Sequence, residues 1–169
     1  KGVTVFDTDE HVKGDTTLEV LGAMRTAFKK DGVITAGNAS GINDGAAAVV
    51  LATGSEVAAR GLTPFAKIVA WGHAGVEPEY MGEGPIKAVP IALERAGLAL
   101  DQSDVIESTE AFAAQACDAA KVLGFDPEKV NPNGSGVSIG HPVGATGAML
   151  TIKCMYELKR TGGRYGLIT

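Results

Sequence analysis

The most informative part of this chain is residues 131–149, with the sequence NPNGSGVSIGHPVGATGAM. Its five glycines let the backbone approach a ligand closely and adopt positive φ angles where turns need them. Pro142 disfavours the helical conformation for the residue before it, so His141 is predicted to be extended. We therefore predict a glycine-rich binding loop that carries a histidine and leads into a helix beginning near Gly144 or Ala145.

His141 has two interpretations at this point. A neutral imidazole on such a loop can take a proton from a thiol or donate one to a developing oxyanion. Alternatively, the ring is structural or simply exposed, which is the common case for an isolated histidine in a glycine-rich loop. The neighbouring motifs favour the first interpretation.

Several long motifs resemble those of the thiolase family, in the same order and at the same spacing. They are TAGNASGINDGAA at 35–47, GPIKAVPIALERAG at 84–97, STEAFAAQ at 108–115, and NPNGSG at 131–136 followed by GHPVGATG at 140–147. The resemblance is to biosynthetic acetyl-CoA acetyltransferases in particular and covers essentially the whole chain.

Apolar runs alternate with helical patterns, which predicts an α/β domain with a mixed, mainly buried β-sheet and helices on both faces. Strands are predicted at residues 46–53, 66–70, 105–107 and 165–168, with a strand or linker end at 3–6. Helices are predicted at residues 18–28, 55–60, 86–96, 110–123 and 145–159. The resemblance implies the thiolase fold, in which two halves of like topology pair, and residues 1–169 look like the C-terminal half.

Two helix patterns make specific predictions. Thr16 and Glu19 form a capping box at the start of the first helix. The apolar side of the last helix is predicted to consist of four residues, Met149, Ile152, Met155 and Tyr156.

The composition argues against several classes of protein. A net charge of −5 without a basic run argues against nucleic acid or an anionic membrane as a partner. No apolar run approaches the roughly 20 residues that span a bilayer. The two cysteines, Cys117 and Cys154, lack metal-ligand spacing and are predicted to be buried in helices. We expect a protein without a bound metal, from the cytoplasm or, in a eukaryote, an organellar matrix.

The ends of the sequence lead us to expect a longer parent enzyme. The chain begins at Lys1 and ends at Thr169 within RYGLIT, a predicted strand. In thiolases such a strand leads directly into a loop with a catalytic cysteine. We therefore expect a fragment that pairs with the N-terminal half of the same enzyme and is inactive alone.

The resemblance implies the condensation of two acetyl-CoA molecules to acetoacetyl-CoA and CoA, or the reverse thiolysis. One cysteine, from the N-terminal half, takes up the acetyl group, and a second moves a proton at the carbon of the incoming acyl-CoA. His141 aligns with the histidine of the family's GHP motif, which activates the first cysteine and helps to hold the thioester oxygen. Activation matters because the thiolate, not the thiol, is the nucleophile.

Thr109 departs from the family pattern. Most thiolases have NEAF where this chain has TEAF, and the asparagine positions a water beside the histidine. A hydroxyl can also hold a water, because it is both donor and acceptor. The alternative is that Thr109 only caps a helix beginning at Glu110. Glu110 itself is expected to support the neighbouring loop.

The resemblance also implies where coenzyme A binds. Ser40 matches a serine that hydrogen-bonds the pantetheine arm, and Ala36 allows close passage of that arm. Phe112 flanks the pantetheine tunnel, anchors its helix, or does both. Lys13 lies where many relatives have an arginine against the nucleotide. No cofactor is expected beyond the coenzyme A thioester that serves as substrate.

Two other classes of function stay open. A degradative 3-ketoacyl-CoA thiolase or a ketoacyl synthase performs related chemistry, although a synthase generally uses two histidines. A catalytically silent acyl-CoA-binding domain is favoured by Thr109 and by the lack of both catalytic cysteines. The family leads us to expect a homodimer or homotetramer.

Overall fold

The computed structural model describes residues 2–169. Its α-helices are α1 Leu18–Gly22, α2 Gly54–Arg60, α3 Gly84–Ala96, α4 Ala113–Leu123, α5 Gly136–Ile139 and α6 Thr146–Thr161. Its strands are β1 Val105–Glu107 and β2 Gly166–Ile168, and short 3-10 helices lie at Pro78–Glu83, Leu100–Gln102 and Pro127–Lys129.

The sheet consists of β1 and β2, which run parallel with Val105 opposite Gly166 and Glu107 opposite Ile168. Parallel strands need a crossover connection, and here the crossover contains α6, which packs along both strands. Both strands agree with the sequence prediction. The α/β class is confirmed, although the sheet among the described residues is small and parallel.

Helices cover both faces of this sheet. Ile106 and Leu167 belong to a buried cluster with Val89 of α3 and Phe125 after α4. Successive side chains of a strand point to opposite faces. On the other face, accordingly, Glu107 pairs with Lys153 of α6.

The predicted strands at 46–53 and 66–70 are wrong as buried strands. Both segments lie outside helices and strands in the structure. Val50 is 98% exposed and Ile68 is 63% exposed. A strand is stabilised by cross-strand neighbours and by burial of one face, and neither segment has these among residues 2–169. Residues 3–6 are likewise unpaired and exposed.

The first helix is much shorter than predicted. Its N-cap is Thr17, whose hydroxyl accepts from the backbone N–H of Val20, so the predicted capping box at Thr16 is wrong. The helix ends at Gly22, and the chain then forms an antiparallel bridge between Thr26 and Thr35. Leu18 is 83% exposed. Without a buried face, a helix of this length has little to stabilise it.

The buried side of α6 also differs from the prediction. The expected apolar residues are at most half-buried, and Tyr156 is exposed. The buried residues are Thr146, Leu150, Cys154 and Glu157. Two of these are polar, and hydrogen bonds satisfy them there, a compensation that apolar periodicity does not detect. Of the cysteines predicted to be buried, Cys154 is buried and Cys117 is exposed.

Among the described residues, none of the helices is long and apolar enough to cross a membrane. Within the same range, histidine, cysteine and acidic residues form no group of three or more that could hold a metal ion.

Candidate active site

The structure brings three of the predicted motifs together through backbone hydrogen bonds. The N–H of His141 donates to the carbonyl of Gly41 at 2.9 Å. One residue earlier, the N–H and the hydroxyl of Ser40 both donate to the carbonyl of Ala111, each at 3.1 Å. The GNASG segment therefore lies between the GHP loop and the TEAF segment.

His141 is half-buried on the short connection between α5 and α6. Its Nδ1 lies 2.7 Å from Oγ1 of Thr146, the first residue of α6. Gly140 precedes it with a φ of 92°, which a residue with a side chain adopts only with strain. His141 lies ahead of a helix, as the sequence predicted, and that helix begins at Thr146.

Asn131 and Glu110 hold the start of the glycine-rich loop. The side chain of Asn131 accepts from the N–H of Ser108 at 2.7 Å and donates to the carbonyl of Ser108 at 2.9 Å. It also donates to Oε1 of Glu110 at 3.0 Å, while Oε2 of Glu110 accepts from the N–H of Val137 at 3.2 Å. Glu110 therefore supports the loop, as its position in the motif predicted.

Thr109 continues the strand β1 and does not cap a helix. Its N–H donates to the carbonyl of Thr169 at 2.7 Å, which extends the pairing of β1 with β2. Helix α4 begins at Ala113, with Phe112 as its N-cap. The interpretation of Thr109 as a helix cap is therefore wrong, and its role in holding a water stays a prediction.

The structure places the residues predicted to bind coenzyme A in different surroundings. Ser40 and Phe112 are close together, because Ala39 forms an antiparallel bridge with Phe112. The ring of Phe112 also packs edge-on against Phe28, with centroids 6.1 Å apart. Ala36 is exposed in the turn that precedes Ser40.

Lys13 lies in an exposed segment, where its Nζ donates to the carbonyl of Glu10 at 2.8 Å. None of its described contacts links it to Ser40 or Phe112. Its role in binding the nucleotide stays a prediction.

A buried ion pair lies beneath the loop, and sequence reasoning missed it. Oε2 of Glu107 is 2.7 Å from Nζ of Lys153, which also donates to the carbonyl of Gly134. Burial raises the pKa of Glu107, and the contact with Lys153 opposes that rise. Oε1 of Glu107 is buried without a hydrogen-bond partner in the described chain. The available signal was a glutamate within a predicted buried strand, since such a charge requires a partner.

A shallow cavity of about 340 Å³ opens beside His141. One wall is formed by residues 43–47 and the other by residues 142–145. Asn43 lies against Gly140, and its side-chain oxygen is buried without a partner among residues 2–169. The wall residues belong to the NDGAA and PVGA parts of the motifs.

Cys154 is not suited to nucleophilic chemistry. It is 2% exposed, and burial raises the pKa of its thiol to about 11. The neighbouring carboxyl group of Glu107 acts in the same direction. Because only the thiolate is a good nucleophile, Cys154 is inert at neutral pH.

Two family models match the chain. Residues 62–169 match the model described as thiolase, C-terminal domain, and residues 1–55 match the model described as thiolase, N-terminal domain. The models thus divide the chain between residues 55 and 62, whereas the motifs led us to assign residues 1–169 to one C-terminal half. That assignment stays a prediction.

Individual relatives agree with these models. The chain is 58% identical to the beta-ketothiolase BktB of Cupriavidus necator and 49% identical to the acetyl-CoA acetyltransferase of Shinella zoogloeoides. Both alignments cover 100% of this chain and 43% of the relative. The crystal structure of the Bacillus anthracis acetyl-CoA acetyltransferase superposes with a TM-score of 0.91 at 48% identity, covering 98% of this chain and 42% of that one.

Proposed function

Because the chain belongs to the thiolase family, we propose that it is part of an acetyl-CoA C-acetyltransferase. This enzyme condenses two acetyl-CoA molecules reversibly to acetoacetyl-CoA and CoA through a cysteine acyl-enzyme. The observation that carries the proposal is the hydrogen bond from His141 to Gly41, which joins the GHP loop to the GNASG segment. Three motifs distant in sequence are then joined to one another, and one of them carries the candidate base.

In this proposal His141 acts first as a base. It takes the proton of a cysteine thiol, and the thiolate attacks the thioester carbonyl of acetyl-CoA and expels the CoA thiolate. With the second substrate, the ring donates a hydrogen bond to the thioester oxygen as negative charge develops there. Removing one such donor costs roughly 10²–10³ in rate.

Both reactive cysteines belong to parts of the enzyme outside this chain in our proposal. The acyl-accepting cysteine comes from the N-terminal half, and the second follows the strand that contains Ile168. The buried, inert Cys154 supports this choice, because its raised pKa opposes thiolate formation.

We propose that coenzyme A passes along the segment that contains Ala36 and Ser40. The hydroxyl of Ser40 donates to Ala111, so its oxygen is left to accept a hydrogen bond from the amide of a pantetheine arm. Phe112 lies beside it and offers an apolar edge. Lys13 would contact the nucleotide end, a role supported only by the family resemblance.

Thr109 would hold the water that an asparagine holds in most relatives. Its backbone N–H bonds to the carbonyl of Thr169, so the residue lies near the end of β1. A threonine has a shorter reach than an asparagine, and we therefore expect Thr109→Asn to change kcat.

A degradative 3-ketoacyl-CoA thiolase is the second candidate. The chain is more similar to a protein named beta-ketothiolase, at 58% identity, than to one named acetyl-CoA acetyltransferase, at 49%. This difference in identity is the observation that supports the second candidate.

Turnover of a series of substrates tests these proposals. The full-length protein that contains this chain is purified and assayed for thiolysis of acetoacetyl-CoA and of longer 3-ketoacyl-CoA thioesters. A higher kcat/KM for acetoacetyl-CoA supports the acetyltransferase, and a higher value for longer substrates supports the degradative enzyme. Binding of acyl-CoA without turnover of any substrate would contradict both and indicate a silent binding domain.

The remaining parts of the proposal concern the state of the protein. We propose that residues 1–169 alone are inactive, and that the complete enzyme is a cytoplasmic homodimer or homotetramer. The bacterial relatives support the compartment. Turnover by a sample of the isolated chain free of other thiolases would contradict the first point.

A further inference from the structure

Thr146 lies in contact with the imidazole of His141. Its Oγ1 is 2.7 Å from Nδ1 of His141 and 3.1 Å from the carbonyl oxygen of Pro142. Thr146 is only 7% exposed, so water does not compete freely for this hydroxyl. The hydroxyl therefore has two protein partners, one on the candidate base and one on the backbone.

A hydroxyl is both donor and acceptor, so Thr146 can pair with either state of the ring. When Nδ1 lacks a proton, the hydroxyl donates to it, and Nε2 carries the proton that can be donated to an oxyanion. When Nδ1 carries a proton, it donates to Oγ1, and the hydroxyl proton turns toward the carbonyl of Pro142. In that state Nε2 can take a proton from a thiol.

The carbonyl of Pro142 tolerates both positions of that proton. It already accepts from the N–H of Ala145 at 2.7 Å and from the N–H of Thr146 at 2.9 Å. It therefore stays paired when the hydroxyl turns away, and neither this carbonyl nor the Thr146 hydroxyl is left without a partner in either state.

We propose that Thr146 is a positioning residue that keeps the His141 ring in one orientation while the ring changes from proton acceptor to proton donor. The inference rests on the proposed thiolase function. During turnover Nδ1 keeps its proton and donates to Oγ1 of Thr146, both before and after Nε2 takes the proton of the thiol, and the protonated ring then donates from Nε2. The proton that is transferred moves between the cysteine thiol and Nε2 of the ring.

The same helix provides a matched control. The hydroxyl of Thr151 donates to the carbonyl of Gly147 at 2.8 Å, four residues earlier, just as Thr146 bonds to Pro142. The described contacts of Thr151 include no histidine. Thr151→Val therefore removes the same kind of helix bond without touching the site.

The test measures kcat and KM of the full-length protein with each variant. Thr146→Val keeps the side-chain shape but removes the hydroxyl, and we expect kcat to fall by roughly ten- to a hundredfold, as for a misplaced catalytic group. KM for the acyl-CoA should change little. Thr146→Ser restores most of kcat, and Thr151→Val stays near the wild type.

A merely structural role would not separate these variants by their kcat values. If Thr146→Val matches the Thr151→Val control, or if Thr146→Ser loses as much kcat as Thr146→Val, the inference is wrong. Thermal unfolding of each variant shows whether folding is affected. If Thr146→Val does not fold, Thr146→Ala and Thr146→Ser replace the pair, and equal kcat values for them contradict the inference.

Chemical modification separates this inference from the proposed function. Diethyl pyrocarbonate modifies neutral imidazole, and mass spectrometry compares His141 with the exposed His73 in the same sample. Loss of the partner at Nδ1 in Thr146→Val should speed modification of His141 several-fold relative to His73. An unchanged ratio overturns the role of Thr146, whereas absence of turnover in the wild type overturns the thiolase function alone.

Discussion

The chain contains two pairs of apolar segments that are alike in sequence and different in structure. In β1 and β2, Ile106 and Leu167 are 1% and 8% exposed. In the segments 46–53 and 66–70, Val50 and Ile68 are 98% and 63% exposed. The difference is that β1 and β2 pair with each other and pack on helices, whereas the other two segments have no paired strand in the described chain.

An apolar, β-branched sequence therefore indicates where a strand can form. Whether the strand forms depends on a paired strand and on helices that bury one of its faces. Helix α6 packs along both β1 and β2 and brings them side by side. Helix α2 lies between the other two segments, and none of its residues is buried. It cannot fold those segments together as α6 does.

The largest loss of stability is expected when Glu107 in strand β1 loses its ion-pair partner. Lys153→Met leaves a buried carboxylate without its ion pair, so we expect a loss of about 3–5 kcal/mol in the free energy of unfolding. Urea denaturation measures this loss.

The pH dependence of that loss provides a control. Burial already raises the pKa of Glu107, so the folded variant binds a proton more readily than the unfolded chain. Its stability is therefore lost as pH rises, and the defect should be smaller at roughly pH 5 than at roughly pH 8. A defect that is equal at both values would contradict the assignment to Glu107.

A smaller effect is expected where β2 touches α6. A Cβ added at Gly166 would collide with Sγ of Cys154, so Gly166→Ala should cost about 1–3 kcal/mol through overpacking. Gly147→Ala is the matched control, because its added Cβ has no atom within 4 Å beyond its chain neighbours and the backbone of its own helix. There the substitution should change the free energy of unfolding in urea by less than about 0.5 kcal/mol, because Gly147 is the second residue of α6. Equal effects at the two glycines would show that β2 does not pack on α6 as described.

The dependence of stability on pH in the acid range tests the hydrogen bonds of Glu157 near the end of α6. Hydrogen bonds from Arg160 and Asn133 lower the pKa of Glu157 from 4.5 to about 2. A lowered pKa contributes stability that is complete above the unfolded value and is lost as pH falls from 4.5 toward 2. Glu157→Gln should therefore flatten the pH dependence of unfolding in that window, and an unchanged curve would exclude the contribution.

The smallest effect is expected in the exposed segments. Val50→Thr should change the stability of the 169-residue chain by less than about 0.5 kcal/mol, as at other surface positions. Ile106→Val is the buried counterpart and should cost about 0.5–1.5 kcal/mol. A large loss at Val50 would show that segment 46–53 has a partner in solution.

Features with local causes could be predicted from the sequence. The helices α2, α3 and α4 are followed by Gly61, Gly97 and Gly124, each with a positive φ. A glycine after a helical pattern is the residue that this geometry favours, so those ends follow from the residues alone.

Features that depend on distant partners could not be predicted in this way. Glu107 and Lys153 are 46 residues apart, and neither periodicity nor composition pairs them. The same limit applies to Thr146. The GHPVGATG motif contains this residue, but only the fold shows that its hydroxyl lies beside His141. The motifs located the site, and the fold supplied its supporting contacts.

The role of His141 is tested by one comparison, thiolysis of acetoacetyl-CoA by the full-length protein and by its His141→Ala variant. His73→Ala is the matched control, since His73 is exposed and belongs to none of the motifs. We expect robust turnover that falls roughly a hundredfold or more in His141→Ala, the loss of a base and an oxyanion donor, and stays unchanged in His73→Ala. Equal turnover by the wild type and His141→Ala would contradict the catalytic role of this histidine.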